Sequence, residues 1–232
     1  MKKTAKNIFE LEVEHRKSLG EQVYATLQNA IIIGGLKPGQ RLKEIEIASQ
    51  MSISRTPLRE ALSRLEANGW LRKVRSGGYA VIDDTEKEVE DLFDVRLVLE
   101  CHALKLALKN ISDGEIKKME RVIENMELNT KRDDVAIIIE LNTKFHETIF
   151  IASGNYKLCE LLSHLHTHIL RYRIKTLWNP EERRASLEGH KKIVKIIKER
   201  NESLADKIMS DHINHSKEVI MSRIKNQKKA GA

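Results

Sequence analysis

The sequence predicts a mainly α-helical protein in two parts, a small front unit ending in one β-hairpin and a larger unit that is helical throughout. Three observations carry this. Leu, Ile, Lys and Glu are abundant and only 3 residues of 232 are Pro, a balance that favours helix. Apolar residues recur at three- and four-residue spacing along most of the chain. Strand signals occur in one place, residues 70–82, where Ser76-Gly77-Gly78 separates two short runs. Aromatics are only 4% of the chain, so aliphatic side chains must fill the core.

Each element follows in order. Residues 1–18 are polar and mixed in charge and are expected to form a flexible arm. Leu19, Val23, Leu27, Ala30 and Ile31 share a helical face up to Gly34-Gly35, which stops it. Lys37-Pro38-Gly39 is a turn. Glu44 to Met51 reads as a short helix with Ile45, Ile47, Ala48 and Met51 inward. Met51-Ser52-Ile53-Ser54 leads into a third helix that closes at Asn68-Gly69. The hairpin strands are expected at 70–75 and 79–82. Asp83-Asp84-Thr85 marks a boundary, placing the front unit at 19–83 and the helical unit at 84–225. Six helices are expected behind it, at about 86–109, 113–131, 133–152, 155–177, 180–200 and 201–225. Residues 226–232 read as a frayed basic tail.

Charge is divided unevenly. Residues 1–82 hold 14 Lys and Arg against 8 acids, residues 83–222 hold 23 against 26, and the last ten hold four against none. The net +7 is thus concentrated at the front, which suits contact with phosphates there. Cys101 and Cys159 lie on apolar helical patterns and are expected as free thiols in a reducing, cytoplasmic setting. No apolar run follows the N-terminal Met1-Lys2-Lys3 as a signal peptide requires, and none is long enough to span a membrane.

The third helix is the centre of the front unit. Ser54 is suited to its N-cap, and Pro57 falls in the first turn, where no intrahelical donor is lost. Leu58, Ala61, Leu62 and Leu65 make its buried stripe, while Arg55, Arg59 and Arg64 lie off it. Three helices followed by a hairpin make a winged helix-turn-helix, in which the leading end of the second helix of the motif meets base edges. Arg55 and Arg59 are then candidates for bases, and Ser54, Thr56, Arg64, Arg75, Gly77 and Gly78 for phosphates of double-stranded DNA.

The larger unit carries polar residues on inward faces. Asn142 and His146 are four apart among Val135, Ile138, Ile139, Phe145 and Ile149. His190 lies with Leu187, Val194 and Ile197, and His212 and His215 with Leu204, Ile208 and Val219. Arg96 interrupts the stripe Val89, Leu92, Phe93, Leu99 and Ala103. Burying such groups singly costs a few kcal/mol each, so one shared polar site is the economical explanation. Three histidines and an oxygen donor suit a divalent metal. His164, His166 and His168 are read as solvated or interfacial, because no third ligand is evident beside His164 and His168.

The stretches Leu36 to Leu42, Ser54 to Trp70 and Gly77 to Val81 resemble the N-terminal domain of GntR-family transcription regulators. The remainder resembles the all-helical FCD-type effector domain of the FadR branch, on Arg96-Leu97-Val98-Leu99-Glu100, Asn142-Thr143-Lys144-Phe145-His146, Gly154-Asn155, His190 and His212. The likeness implies a homodimeric, ligand-responsive regulator, in the first instance a repressor, on a pseudo-palindromic operator. It implies a metal held by Asn142, His146, His190 and His212, with zinc first and nickel or manganese next. It also implies a small carboxylic or sugar acid, which Arg96 is placed to grip; of Arg171, Tyr172 and Arg173 one is expected to line the same cavity, with Tyr172 taken first. Asn142 stands where metal-binding members carry Asp; its amide oxygen brings no charge, so such a site should hold metal more weakly or draw harder on an anionic effector. Two other readings start from the same residues. Histidines with purely structural roles would leave the DNA-binding reading intact. A metal-dependent hydrolase would need a general base beside an open metal position, and no inward carboxylate clearly supplies one.

Overall fold

A computed structural model describes residues 18–32, 35–83 and 85–230, apart from the side chains of 175 and 227–230. The arm expected at 1–18 lies outside the described residues except for Ser18. The front unit contains α1 (Leu19–Ile32), β1 (Arg41–Leu42), α2 (Glu44–Met51), α3 (Arg55–Ala67), β2 (Leu71–Lys73) and β3 (Tyr79–Val81). Behind it come α4 (Glu86–Asn110), α5 (Asp113–Arg132), α6 (Val135–Ala152), α7 (Tyr156–Leu177), α8 (Pro180–Lys198) and α9 (Ala205–Ala230), with a 3₁₀ turn at Glu202–Leu204.

In the front unit α1 and α2 pack on α3. Leu58, Ala61, Leu62 and Leu65 of α3 are fully buried with Val23, Leu27, Trp70 and Val81. Ser54 occupies the N-cap of α3 but makes no capping hydrogen bond with its side chain. The reason lies three residues on, where Pro57 has no N–H to donate. Ile45 also departs from expectation and is 69% exposed, because α2 presents only Ile47 and Ala48 to the core. The sheet is antiparallel in the order β1-β3-β2, with Arg41 opposite Ala80 and Leu71 opposite Val81. Two-residue β1 carries too short a pattern to be read from sequence, and the hairpin strands are shorter than expected. Gly78, at φ +79, approaches Leu42 so closely that a Cβ would sit 2.7 Å from its carbonyl oxygen. Glycine is therefore required there for β1 to pair with β3.

Caps written into the sequence set the bundle helices. Thr85 with Glu88 and Ser112 with Glu115 form complete capping boxes, and Asp134, Asn155 and Asn179 cap α6, α7 and α8. Asp133, at φ 59, closes α5 in the left-handed conformation, so α6 begins at Val135, where its apolar stripe starts, and not at the expected 133. The helix α9 runs to Ala230, so the tail expected from 226 continues the helix to that residue. Its buried line is Ala205, Met209, Ile213, Ile220 and Ile224, with His212 beside it; Leu204 faces outward. Both cysteines are free thiols. Among the described residues no helix is long and apolar enough to cross a membrane.

The helix α4 packs on α6, α7 and α9 and carries the centre of the bundle core. The helix α7 belongs to both units. Leu162, Leu165 and Tyr172 join the bundle core, whereas Leu170 and Ile174 pack into the core of the front unit. A guanidinium nitrogen of Arg171 donates to the carbonyl of Gly69, at the end of α3. The His168 ring lies against Gly69, where a Cβ would come within 2.5 Å of it. The helix α3 is thus fastened at its rear end to the bundle. Replacing Arg171 by Ala is expected to speed amide exchange at Gly69 and Trp70 at least about tenfold, the loss of roughly one buried charged hydrogen bond. Hydrogen exchange with mass spectrometry, with α4 and α9 as internal references, checks it; unchanged protection at Gly69 and Trp70 would count against the fastening.

Candidate functional site

Two places on the molecule gather the residues that carry chemistry. The first lies at the open end of the front unit. The N-terminus of α3 and the wing tip flank a cleft lined by Arg41, Lys43, Arg55, Ser76, Gly77 and Gly78. The pairing of β1 with β3 brings Arg41 and Lys43 there, and Arg41 Nη1 donates to Ser76 Oγ at 3.1 Å. These two basic residues were not foreseen, because the strand that positions them is only two residues long. Ser54, Thr56 and Arg75 are exposed around the same end. Arg59 is exposed too, but its Nε is tied to Glu44 at 2.6 Å, which leaves the terminal nitrogens as its fork. Arg64 is placed differently. It stacks 4.5 Å from the Tyr24 ring near the C-terminal end of α3, in a cleft it shares with Glu21 and Glu60.

The second place is a small cavity of about 30 Å³ inside the bundle, bordered by Arg96, Asn142, His146, Tyr172, Arg173 and His212 among others. His146, His190 and His212 each offer a ring nitrogen within 4.8 Å of the others, and all three residues are buried. His146 Nε2 and His190 Nε2 stand 3.4 Å apart. Two nitrogens bound to one tetrahedral zinc at about 2.0–2.1 Å are separated by nearly that distance. His212 reaches the group because Gly189 faces it on α8; a Cβ at that position would come within 2.5 Å of His212 Nδ1. Asn142 donates Nδ2 to Ser186 Oγ at 3.3 Å, so Oδ1 is the atom it can offer an ion. His215 borders the cavity but stands outside the histidine group, half exposed and paired with Glu182 at 2.9 Å.

Beneath the histidines lies Glu100, fully buried. It accepts from Arg96 Nε at 2.6 Å and His166 Nε2 at 2.9 Å on one oxygen, and from His146 Nδ1 at 2.8 Å on the other. These partners hold its carboxyl well below the usual range despite the opposing effect of burial. As an acceptor only, it requires His146 to carry its proton on Nδ1, which leaves Nε2 with a lone pair facing His190. His166 is likewise protonated on Nε2 and accepts at Nδ1 from Arg173, 3.1 Å away. Arg173 completes the chain by donating to Thr143 Oγ1 at 2.6 Å. Burial lowers the pKa of all four histidines, that of His166 to about 3, so each is neutral near pH 7.

His166 therefore corrects the expectation of a solvated ring, whereas His164 is exposed and His168 half-buried. The missed signal was a stripe at helical spacing, Leu158, Leu162, His166 and Ile169, all buried. Glu100 was visible only as the residue four after Arg96 on the same face. Arg96 itself is committed at Nε to Glu100 in a buried ion pair. Among the described residues it makes no other hydrogen bond, and it lies on the cavity wall. His190 Nδ1 is buried with no hydrogen-bond partner among the described residues, and Nε2 is the atom that faces His146.

A winged helix with a basic reading end, joined to a helical bundle around a polar cavity, is the build of a ligand-responsive DNA-binding regulator. Residues 19–81 match the gntR family of bacterial regulatory proteins, and residues 91–215 match the FCD domain. The chain belongs to the gntR family, in its FCD-bearing branch. It is 31% identical to the uncharacterized HTH-type transcriptional regulator YdhC of Bacillus subtilis, over 84% of this chain and 87% of that one. It is 30% identical to the gluconate operon transcriptional repressor of Bacillus licheniformis, over 82% of this chain and 79% of that one. The solved structure of E. coli McbR/YncC superimposes with a TM-score of 0.69 at 25% identity, covering 90% of this chain and 99% of that one. Its relatives are transcriptional regulators and not enzymes. The hydrolase reading also lacks its base, since Glu100 is spent on Arg96, His146 and His166.

The sign of the pH dependence follows from the buried groups. Histidines with lowered folded pKa values add stability above their unfolded pKa near 6.5 and lose it as pH falls below that point. Glu100, also lowered, adds stability above about 4.5 and loses it below. The chelator-treated protein should therefore melt at progressively lower temperature from about pH 6.5 to pH 5, taking up more than about one proton per chain on unfolding. Calorimetric scans across that range measure it, and a flat melting temperature would contradict the buried, neutral state of the rings.

Proposed function

We propose that this protein is a homodimeric repressor in the cytoplasm, whose hold on a pseudo-palindromic operator is set by a small carboxylic or sugar acid bound at a metal in the bundle. The observation that carries it is the convergence of His146, His190 and His212, which bring one ring nitrogen each within 4.8 Å of the others, beside a cavity-lining Arg96. Asn142, His146, His190 and His212 would hold the ion, with zinc favoured by a nitrogen-rich set and nickel or manganese as alternatives. The ion would supply a Lewis acid for one carboxylate oxygen of the effector. Arg96 would take the same carboxylate through its terminal nitrogens, held in place by Glu100 at Nε. Tyr172 borders the space the acid would occupy. The name of the gluconate operon repressor, a relative, agrees with a sugar acid as one class of effector.

On the DNA side, two copies related by a two-fold axis set their α3 helices on successive half-sites. Arg55 and the free fork of Arg59 read base edges, and Ser54, Thr56, Arg75 and the wing glycines sit on phosphates. Arg41 and Lys43 add to the phosphate contacts through the same cleft. Arg64, stacked on Tyr24 beside two carboxylates, is the least suited of the expected contacts. Coupling runs through α7. Ile169, Tyr172 and Thr176 border the cavity, while Arg171 and Ile174 hold the front unit. An acid larger than the present cavity must move its walls. Its binding can shift DNA affinity only as far as it prefers one seating of the front unit over the other.

Two variants test the halves separately. Arg55→Ala is expected to weaken operator binding by about 1–3 kcal/mol, as for loss of one bidentate base contact, while weak salt-dependent binding to unrelated DNA persists. Polarisation titrations on a selected operator measure this, and equal affinity for both DNAs before and after the change would remove Arg55 from the reading set. Gly189→Ala places a methyl against His212 in a helix where Ala is otherwise favoured over Gly by about 1 kcal/mol. The 2.5 Å approach obliges the His212 ring to move, so zinc affinity should fall at least about tenfold while the zinc-free protein melts no higher than the parent. Competition with a chromophoric chelator reads the affinity. Undiminished zinc binding would show that His212 is not a ligand.

A further inference from the structure

The buried charges of the cavity do not balance. Arg96 is 3% exposed and Arg173 7%, and both lie on the cavity wall. The fully buried carboxylate beside them, Glu100, is engaged by Arg96 and two imidazoles. Among the described residues no carboxylate lies within ion-pair distance of Arg173, whose guanidinium donates to Thr143 Oγ1 and His166 Nδ1, both neutral. Among the described residues, the cavity thus sets two buried guanidiniums, Arg96 and Arg173, against one fully buried carboxylate, Glu100. A guanidinium is expensive to bury without a counter-ion, and the presence of the second calls for one.

The ligand set proposed for the metal makes the imbalance larger. Three neutral imidazoles and the amide of Asn142 would leave both charges of a divalent ion unneutralised, where an aspartate at that position would cancel one. Glu182, also at the cavity border, is already paired with His215, which borders it too. A monocarboxylate bridging the ion and Arg96 answers part of this charge and leaves Arg173 unmatched.

We propose that Arg173 is a second anion-binding group of this cavity, and that the effector is a small dianion whose second acid group pairs with it. This rests on the site reading given above. Thr143 and His166 take one hydrogen from each terminal nitrogen of Arg173 and so hold the guanidinium in place before a ligand arrives. Burial and the nearby Arg96 push its pKa down to about 9, a fall that Glu100 and Glu147, beyond ion-pair distance, oppose without cancelling. His166 thereby gains a role too, as the link between the two arginines through Glu100.

The test uses the full-length protein loaded with zinc, titrated calorimetrically with malonate, succinate and tartrate against acetate and butyrate at matched ionic strength. At least one of the diacids should bind at least about tenfold more tightly than either monoacid, the effect of one added charged hydrogen bond. Arg173→Gln should remove that preference while monoacid affinity stays within about twofold, as only the second contact is lost. The same variant without ligand should melt no lower than the parent, since an unmatched buried charge has gone; a residue that only braces the fold would give a lower melting temperature. Should Arg173→Gln fail to fold, Thr143→Val, which frees one side of the guanidinium, should weaken the diacids alone. Equal binding of mono- and diacids by the parent, or a diacid preference kept in the variant, overturns the proposal and leaves the effector site at Arg96 standing. Failure of every acid to bind with zinc present removes both.

Discussion

The bundle depends on one buried carboxylate. Glu100 has no exposed surface and accepts from Arg96, His146 and His166, three groups that arrive from α4, α6 and α7. Each contact answers a desolvation that would otherwise oppose folding. The carboxylate keeps Arg96 charged inside the protein, sets the tautomer of His146 and anchors His166. Without it, an arginine and two rings would be left without their shared acceptor in a region with almost no water. Buried ionic networks of this kind contribute little net stability, but they admit one arrangement of partners and so specify geometry.

That geometry is handed on in two directions. Toward the cavity, His146 turns its unprotonated nitrogen to His190 and His212, and Arg96 turns its free fork the same way. Toward the front unit, α7 packs on two sides. Ile169, Tyr172 and Arg173 border the cavity while Leu170, Arg171 and Ile174 meet the winged helix, so the helix cannot shift in one place without disturbing the other. The fastening of Arg171 to Gly69 lies one peptide from Tyr172, whose ring meets Phe93 edge-on at the cavity. The distance between sensing and reading is thus one helix face.

The elements were legible wherever local chemistry defines them. Capping residues at Thr85, Ser112, Asp134, Asn155 and Asn179 stand at the observed helix starts, and Pro57 lies in the first turn of α3. Reading failed where a side chain had two faces to choose from. His166 follows an apolar stripe and yet was assigned to solvent with its neighbours His164 and His168. His215 was grouped with His212, three residues away, though only His212 joins the histidine group. Ile45 looked buried by type and is exposed. In each case periodicity gives a spacing, and the direction of the face depends on which neighbouring helix arrives.

The sequence by itself determined the division of labour: a basic front unit with a helix led by arginine, and a helical unit whose inward faces carry Arg96, Asn142, His146, His190 and His212. Those features are local, set by composition, spacing and capping, so they can be read from residues that are close in the chain. Only the tertiary structure decided that Glu100 lies beneath the rings, that Arg173 reaches the cavity while Arg171 holds the winged helix, and that Arg41 and Lys43 join the wing. The physical reason is that these placements depend on contacts between residues up to about a hundred positions apart. What a charged group costs or contributes is fixed by the partners that meet it there, and no pattern along the chain records them.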